Sequence, residues 1–180
     1  DEQLAEYATK VRARIDEIMN RLEMVVPIYL TFTKVDLVTG FVEFWGDLRK
    51  NERGQIWGAT IPLQDVIVDP RKRMEEEFEL LVQSLHARAV QRVGKERSEL
   101  RQKVLQFPIE FASLKENVCD FVGELFQKNT FQETPIFRGV YFMSGTQEGR
   151  PFDRVLGNMA KAFGLPPNTT AAPAVEAKSY

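Results

Sequence analysis

Two short apolar segments, about 100 residues apart, constrain the fold of this chain more than any other feature. The first covers residues 28–32, "IYLTF", and the second covers residues 136–143, "IFRGVYFM". Both are rich in β-branched and aromatic residues and carry apolar side chains on both faces, which is typical of strands covered by helices on each side. A parallel crossover needs only about a dozen residues. The long connection between the two strands is therefore predicted to be an insertion.

Helical periodicity accounts for most of the remaining sequence. Near the start of the chain, Leu4, Ala8, Val11, Ile15 and Ile18 recur at alternating spacings of four and three residues, which predicts an amphipathic helix. A break in helix 97–127 is expected at Pro108, because its ring removes an amide donor and clashes with the preceding turn. The predicted helices are residues 2–23, one or two short helices within 41–58, a helix ending at about 93, the interrupted stretch over about 97–127, and residues 151–163.

The segment 41–58 contains both tryptophans of the chain, Trp45 and Trp57, within a short amphipathic block. Packing of the two rings into the core is the favoured interpretation. A partner-binding surface is the alternative, because Trp and Arg are enriched in interface hot spots.

Two parallel strands do not make a stable sheet by themselves, and an open apolar edge promotes aggregation. At least one edge is therefore expected to be covered by residues outside this chain. We predict a helix-rich α/β domain over residues 1–165, forming part of a larger parallel sheet, with a helical extension at about 41–135 between the strands. Residues 166–180, rich in Pro, Ala and Thr, have little to bury and are predicted to be a flexible linker.

Composition and charge exclude several classes of function. A net charge of -2 gives no reason to expect a nucleic-acid partner or an anionic membrane surface. No apolar run approaches the roughly 18 residues of a membrane span, so none is expected in this segment. The single cysteine, Cys119, and the single histidine, His86, predict neither an internal disulfide nor a metal site. No catalytic residue is predicted within these 180 residues.

Polar residues follow both predicted strands at the point where each strand ends. In an open parallel sheet, ligands bind beyond the carboxyl ends of the strands. The side chains predicted to form such a site are Thr33, Lys34 and Asp36 after the first strand, and Ser144, Gly145 and Thr146 after the second.

These residue types suit recognition of a purine base. The carboxylate of Asp36 can accept two hydrogen bonds from guanine, one from the ring N1–H and one from the exocyclic amine, whereas adenine presents no such pair. The stem of Lys34 can lie along the base while its ammonium stays in water. The turn at residues 144–146 can offer a backbone amide to the guanine carbonyl, and Gly145 permits the tight path. In the alternative interpretation, Lys34 and Asp36 are solvated turn residues and Asp36 caps a nearby helix.

At these positions the sequence resembles the P-loop GTPase class. "TKVD" at residues 33–36 is similar to the base-reading element N/T-K-x-D, and "FMSGT" at residues 142–146 is similar to the later element that usually reads SAK. No G-x-x-x-x-G-K-S/T motif occurs in the sequence. Without that loop no backbone amides surround the phosphates, so these residues alone are not expected to hydrolyse a nucleotide.

A longer resemblance extends beyond these elements. The segments "PIYLTFTKVDLVTGFVEFWGDLRKNERGQIWGATIP" and "RGVYFMSGTQEGRPFDRVLG" resemble the TssM/IcmF family of type VI secretion. Members of that family are large inner-membrane proteins with a cytoplasmic NTPase-like region, and they form a membrane complex with TssL and TssJ. The resemblance implies that this chain is the later part of that region, on the cytoplasmic face of the bacterial inner membrane, with the phosphate-binding loop upstream.

The resemblance also implies a function. The chain is expected to be a structural part of the type VI secretion membrane complex, with a GTPase-like partial sheet and a base-binding pocket. Its implied partners are the TssL cytoplasmic domain, other secretion components and the remainder of its own polypeptide. In the alternative, the full-length protein is a switch that hydrolyses GTP or ATP with Mg²⁺, and its nucleotide state controls partner binding. No cofactor is expected for this segment alone.

Overall fold

The computed structural model describes residues 2–49, 52, 56–65, 67–130 and 132–144. The helix predicted for 151–163, the linker 166–180 and the boundary at residue 165 lie outside the described residues. In chain order the elements are α1 (Glu2–Leu22), β1 (Pro27–Phe32), a 3-10 helix (Val35–Leu37), α2 (Phe41–Trp45), β2 (Gly58–Thr60), α3 (Pro70–Val93), α4 (Ser98–Ala112), α5 (Lys115–Leu125) and β3 (Ile136–Phe142). None of the described helices is long and apolar enough to cross a membrane.

The described strands form one sheet in the order β1-β3-β2. β1 and β3, the two strands read from the sequence, pair in parallel, with Leu30 opposite Val140 and Phe32 opposite Phe142. The register is irregular between Ile28 and Tyr29. The two strands therefore reach their carboxyl ends side by side.

β2 corrects the expectation that the sheet is wholly parallel and that the extension at 41–135 is helical. It pairs antiparallel with β3, so the sheet is mixed. With three residues, β2 is too short for an alternating pattern to reveal it. Gly58 allows the close pairing, because a Cβ at this position would lie 2.1 Å from the carbonyl oxygen of Val140.

The break expected at Pro108 is also wrong. Pro108 lies inside α4, which continues to Ala112, and the chain turns only at Ser113 and Leu114 before α5 begins. A proline inside a helix costs about 3 kcal/mol. The surrounding helix buries Val104, Phe107 and Phe111 completely, and this packing outweighs the local cost.

An aromatic core joins the helices to one face of the sheet. Phe142 of β3 packs edge-on against Phe111 of α4 at 5.0 Å between ring centroids and against Phe78 of α3 at 6.0 Å. Phe32 of β1 contacts Phe121 of α5 at 6.1 Å. On the opposite face Tyr29 is 51% exposed. Among the described residues, helices therefore cover one face of the sheet, not both as the sequence suggested.

Both tryptophans belong to this core. Trp45 and Trp57 lie 5.6 Å apart, and Trp57 packs against Phe111 at 4.8 Å. The core interpretation of segment 41–58 is thus confirmed for its two indole rings.

Candidate functional site

The carboxyl ends of β1 and β3 are linked beyond the strands themselves. The backbone N–H of Met143 donates to the carbonyl of Phe32 at 2.8 Å, and the N–H of Val35 donates to the carbonyl of Met143 at 3.2 Å. The loop after β1 is therefore tied to the end of β3 by its own backbone. We call the surface formed by residues 33–36 and 143–144 the rim.

A left-handed residue turns the chain at the rim. Lys34 has φ 64° and ψ 32° and precedes the 3-10 helix Val35–Leu37. Such a conformation costs a residue with a Cβ about 1–2 kcal/mol. Val35, only 6% exposed, offsets this cost by burying its side chain, and Thr33 and Lys34 remain exposed.

Asp36 and Ser144 form the side-chain contact of the rim. The Ser144 hydroxyl Oγ donates to Oδ1 of the Asp36 carboxylate at 3.0 Å, across a sequence separation of 108 residues. Asp36 is half-buried and Ser144 is exposed. This hydrogen bond orients the carboxylate along the rim and leaves Oδ2 without a hydrogen-bond partner in the described part of the chain.

The rim thus brings together four of the six residues predicted from the sequence. Asp36 and Ser144 touch, and Thr33 and Lys34 lie on the adjoining loop. Gly145 and Thr146 lie outside the described residues. The helix-capping alternative for Asp36 is wrong, because Asp36 lies within the 3-10 helix and the residue at the cap position is Lys34.

The sequence did not reveal the backbone links that place these side chains. Neither the hydrogen bond from Val35 to Met143 nor the left-handed conformation of Lys34 corresponds to a recognisable sequence motif. The only available signal was the single apolar residue, Val35, between two charged ones.

Two concavities occur elsewhere on the described part of the molecule. One, of about 800 Å³, lies between α1, the start of α3 and α5, and a second, of about 650 Å³, lies along α1 near Asn129. Neither includes a residue of the rim. Within the residues that the structure describes, no group of His, Cys, Asp or Glu is placed to hold a metal ion.

Chemically, the rim can present a carboxylate oxygen and a flexible cation to a planar ligand. A carboxylate accepts hydrogen bonds from neighbouring N–H groups, and charge-assisted bonds of this kind are about twice as strong as neutral ones. The exposed Lys34 forms no ion pair with an acidic residue in the described part of the chain.

Fold and rim together define a helix-rich α/β segment whose two parallel strands end in a shared polar edge. The sequence matches the IcmF-related N-terminal domain family over residues 1–180. The chain therefore belongs to the IcmF-related family, which confirms the resemblance found in the sequence.

One characterised relative extends this match. The chain is 41% identical, over 183 residues, to the type VI secretion system component TssM1 of Pseudomonas aeruginosa. The alignment covers 100% of this chain but 17% of that relative, so the chain spans about a sixth of the relative's length. No solved structure matches the chain significantly.

Proposed function

We propose that this chain is a segment of a type VI secretion system component and forms a cytoplasmic, structural part of the inner-membrane complex. The match to the whole chain at 41% identity carries this proposal, because the relative is itself a type VI secretion component. The partners are the TssL cytoplasmic domain, other secretion components and the remainder of the same polypeptide.

Within this role, the rim binds the base of a guanine nucleotide. The observation that supports it is the hydrogen bond from Ser144 to Asp36, which joins the ends of two parallel strands. In this proposal Asp36 accepts the guanine N1–H and amine, and Lys34 lies along the base. Thr33 shapes the loop, and Ser144 closes the pocket from the end of β3. Gly145 and Thr146, which the sequence also assigns to this pocket, lie outside the described residues. This arrangement is that of a P-loop GTPase-like partial sheet.

Hydrolysis depends on residues outside these 180. The segment has no phosphate-binding motif, so GTP with Mg²⁺ would have its phosphates held by the upstream part of the polypeptide. The role assigned to this segment is therefore base recognition coupled to assembly.

The test is a nucleotide titration of the full-length protein by calorimetry, with GTP, GDP and ATP in the presence of Mg²⁺. The same titration is run with and without purified TssL cytoplasmic domain. Guanine nucleotides should bind more tightly than ATP, and TssL binding should persist without nucleotide if the role is structural. Binding of TssL only in one nucleotide state would replace the structural role with a switch. Absence of any nucleotide binding would remove the base-binding part of the proposal.

A further inference from the structure

Positive charge is concentrated around the turn that joins α3 to α4. Residues 88–103, "RAVQRVGKERSELRQK", contain six basic and two acidic residues, whereas the whole chain has a net charge of -2. α3 ends at Val93 and α4 begins at Ser98. We call the surface formed by residues 94–101 the tip. The net charge is an average over the chain, so it does not reveal this local basic surface.

Half of these basic side chains are paired within the described part of the chain. Arg88 and Arg92 form ion pairs with Asp47, at 2.7 and 3.3 Å. Lys103 forms an ion pair with Glu43 at 2.6 Å. These contacts hold α2 and the turn after it against α3 and α4. The three side chains are therefore structural.

The other three basic side chains lie on the tip and form no ion pair with a described acidic residue. They are Lys95, Arg97 and Arg101, and all are exposed. Nε of Arg101 donates to the carbonyl of Glu96 at 3.0 Å, which fixes the side chain and leaves the far end of the guanidinium available. One carboxylate, that of Glu99, is exposed on the same turn. The tip therefore presents an excess of positive charge.

Two of these cations lie where α4 itself does not favour them. Arg97 is at the N-cap of α4 and makes no side-chain capping bond, at a position that Ser, Thr, Asp and Asn prefer. Arg101 lies one turn further on, near the end of the helix where the dipole favours negative charge. The stability of α4 thus explains neither side chain, and both are available to an external anion.

The shape of the tip suits a broad surface better than a small ligand. A Cβ added to Gly94 would meet no atom within 4 Å, so the turn is open. Neither of the two concavities includes a residue of the tip. Aliphatic side chains accompany the charges, since Val90 is 71% exposed one turn before the end of α3 and Leu100 is 39% exposed. Basic residues beside exposed aliphatic ones are typical of segments that lie on anionic lipid.

Two other anionic partners fit this surface less well. Stable protein interfaces bury about 800 Å² on each partner, and their cores are depleted of charged residues. The centre of the tip, in contrast, is charged. Single-stranded nucleic acids are bound with the help of aromatic side chains on which the bases stack, and residues 88–103 contain none.

We propose that the tip docks on an anionic lipid surface. The three unpaired basic side chains lie at the phosphate headgroups, and Val90 and Leu100 contact the layer just below them. This inference rests on the proposed place of the segment at the cytoplasmic face of the inner membrane, and it adds a second contact with the membrane to that role.

The position of the tip keeps the rim accessible. Ser98 and Phe111 are about 20 Å apart along α4, at 1.5 Å per residue. Phe111 packs against Phe142 at the end of β3, which adjoins the rim. A lipid surface that contacts the tip is therefore separated from the rim by most of the length of α4.

Photo-cross-linking of the full-length protein in lipid nanodiscs tests the contact. p-Benzoylphenylalanine replaces Val90 beside the tip, and Ile109, 62% exposed near the other end of α4, is the control position. The discs contain phosphatidylglycerol mixed with phosphatidylcholine, or phosphatidylcholine alone. Position 90 should gain the mass of a phospholipid in the anionic discs and far less in the neutral ones, and position 109 should gain it in neither. Equal labelling of position 90 in both discs, a cross-link to a protein instead, or no lipid adduct would overturn the proposal.

Neutralisation of the tip measures the contribution of its charge. Each basic residue near an anionic bilayer contributes about fivefold to binding. The triple variant Lys95→Gln, Arg97→Gln, Arg101→Gln should therefore lower the ratio of docked to undocked tip by about 100-fold, and the adduct at position 90 should be lost. Because Arg101 also bonds to a backbone carbonyl, the double variant without its replacement is a second test and should lower the ratio by about 25-fold.

The matched control removes the same charge from another exposed surface. Three exposed basic residues of α1 are replaced by glutamine: Lys10, Arg14 and Arg21. This variant should keep the lipid adduct at position 90. Equal loss of the adduct in the tip and α1 variants would show a general effect of net charge and refute docking at the tip.

Binding of the purified TssL cytoplasmic domain separates this inference from the proposed function. TssL should bind the triple tip variant as tightly as it binds wild type. Weaker TssL binding by the tip variant than by the α1 variant would make the tip a protein-binding surface, and the lipid proposal would be wrong. If TssL binds wild type but no lipid adduct forms, the lipid proposal fails and the proposed function is retained.

Discussion

Replacement of Asp36 by asparagine is the most informative single change at the rim. The side chain keeps its size, and its Oδ1 can still accept the hydrogen bond that Ser144 donates at 3.0 Å. Only the outer oxygen changes, from an acceptor that carries charge to an amide that donates. The fold of the rim should therefore be retained while its preference among bases changes.

The magnitude follows from the one hydrogen bond to guanine that the outer oxygen of Asp36 would no longer accept. Hydrogen bonds to a charged group contribute about 1.5–3 kcal/mol. Because each 1.4 kcal/mol is tenfold in affinity, GTP should bind Asp36→Asn about 10–100-fold more weakly. Xanthine carries a carbonyl where guanine carries the exocyclic amine, so the new amide can donate to it. Xanthosine triphosphate should accordingly gain affinity for the variant.

Calorimetric titration of wild type and variant with both nucleotides measures this exchange of preference. Glu99→Gln is the matched control, because it makes the same carboxylate-to-amide change on an exposed residue in the first turn of α4. It should leave both affinities unchanged. Equal GTP affinity in wild type and Asp36→Asn would remove Asp36 from any base-binding site. Equal losses in both variants would point to a general effect of charge.

Four further outcomes follow from the described contacts. Ser144→Ala should weaken GTP binding by only a few-fold in the same titration, because the Ser144 hydroxyl orients the Asp36 carboxylate but the carboxylate itself remains. An effect as large as that of Asp36→Asn would give Ser144 a direct contact with the base. Phe142→Ala should lower the free energy of unfolding in urea by about 3–5 kcal/mol, because the ring is 6% exposed and contacts four aromatic neighbours. Tyr29→Ala, the control, should lower it far less, because Tyr29 is 51% exposed. Burial raises the pKa of the Cys119 thiol to about 11, so iodoacetamide should modify it at pH 8 only after unfolding. The hydrogen bond that Lys115 donates lowers the pKa of Glu75 from 4.5. The pair therefore stabilises the fold above pH 4.5, and this contribution is lost as the pH falls. The free energy of unfolding of Lys115→Met should accordingly change less with pH below 4.5 than that of wild type.

The long, strongly patterned elements could be predicted from the sequence. The helix at 2–23 and the strands at 28–32 and 136–143 were predicted within a few residues, because their apolar side chains repeat with the period of the element. Their parallel arrangement was expected because apolar side chains on both faces of each strand are typical of parallel sheets.

Elements determined by tertiary contacts could not be predicted. β2 has three residues, and it exists because β3 offers a free edge to Gly58 and its neighbours. Pro108 stays helical because Phe107 and Phe111 beside it are fully buried. In both cases a contact between residues distant in sequence outweighs a local preference. Such a contact cannot be predicted from a single sequence.

The rim could be predicted from the sequence only in part. The general rule that parallel strands end at one edge was enough to bring Asp36 and Ser144 together. The precise position of Asp36, however, depends on Val35, whose burial draws the middle of "TKVD" into the core and directs the charged side chains on either side of it outward. A hydrogen bond from the Val35 backbone to Met143 then keeps this loop against the end of β3. The polar groups proposed to read a base are therefore positioned by an apolar residue, and any change that loosens Val35 should reduce both the stability of the rim and its affinity for a ligand.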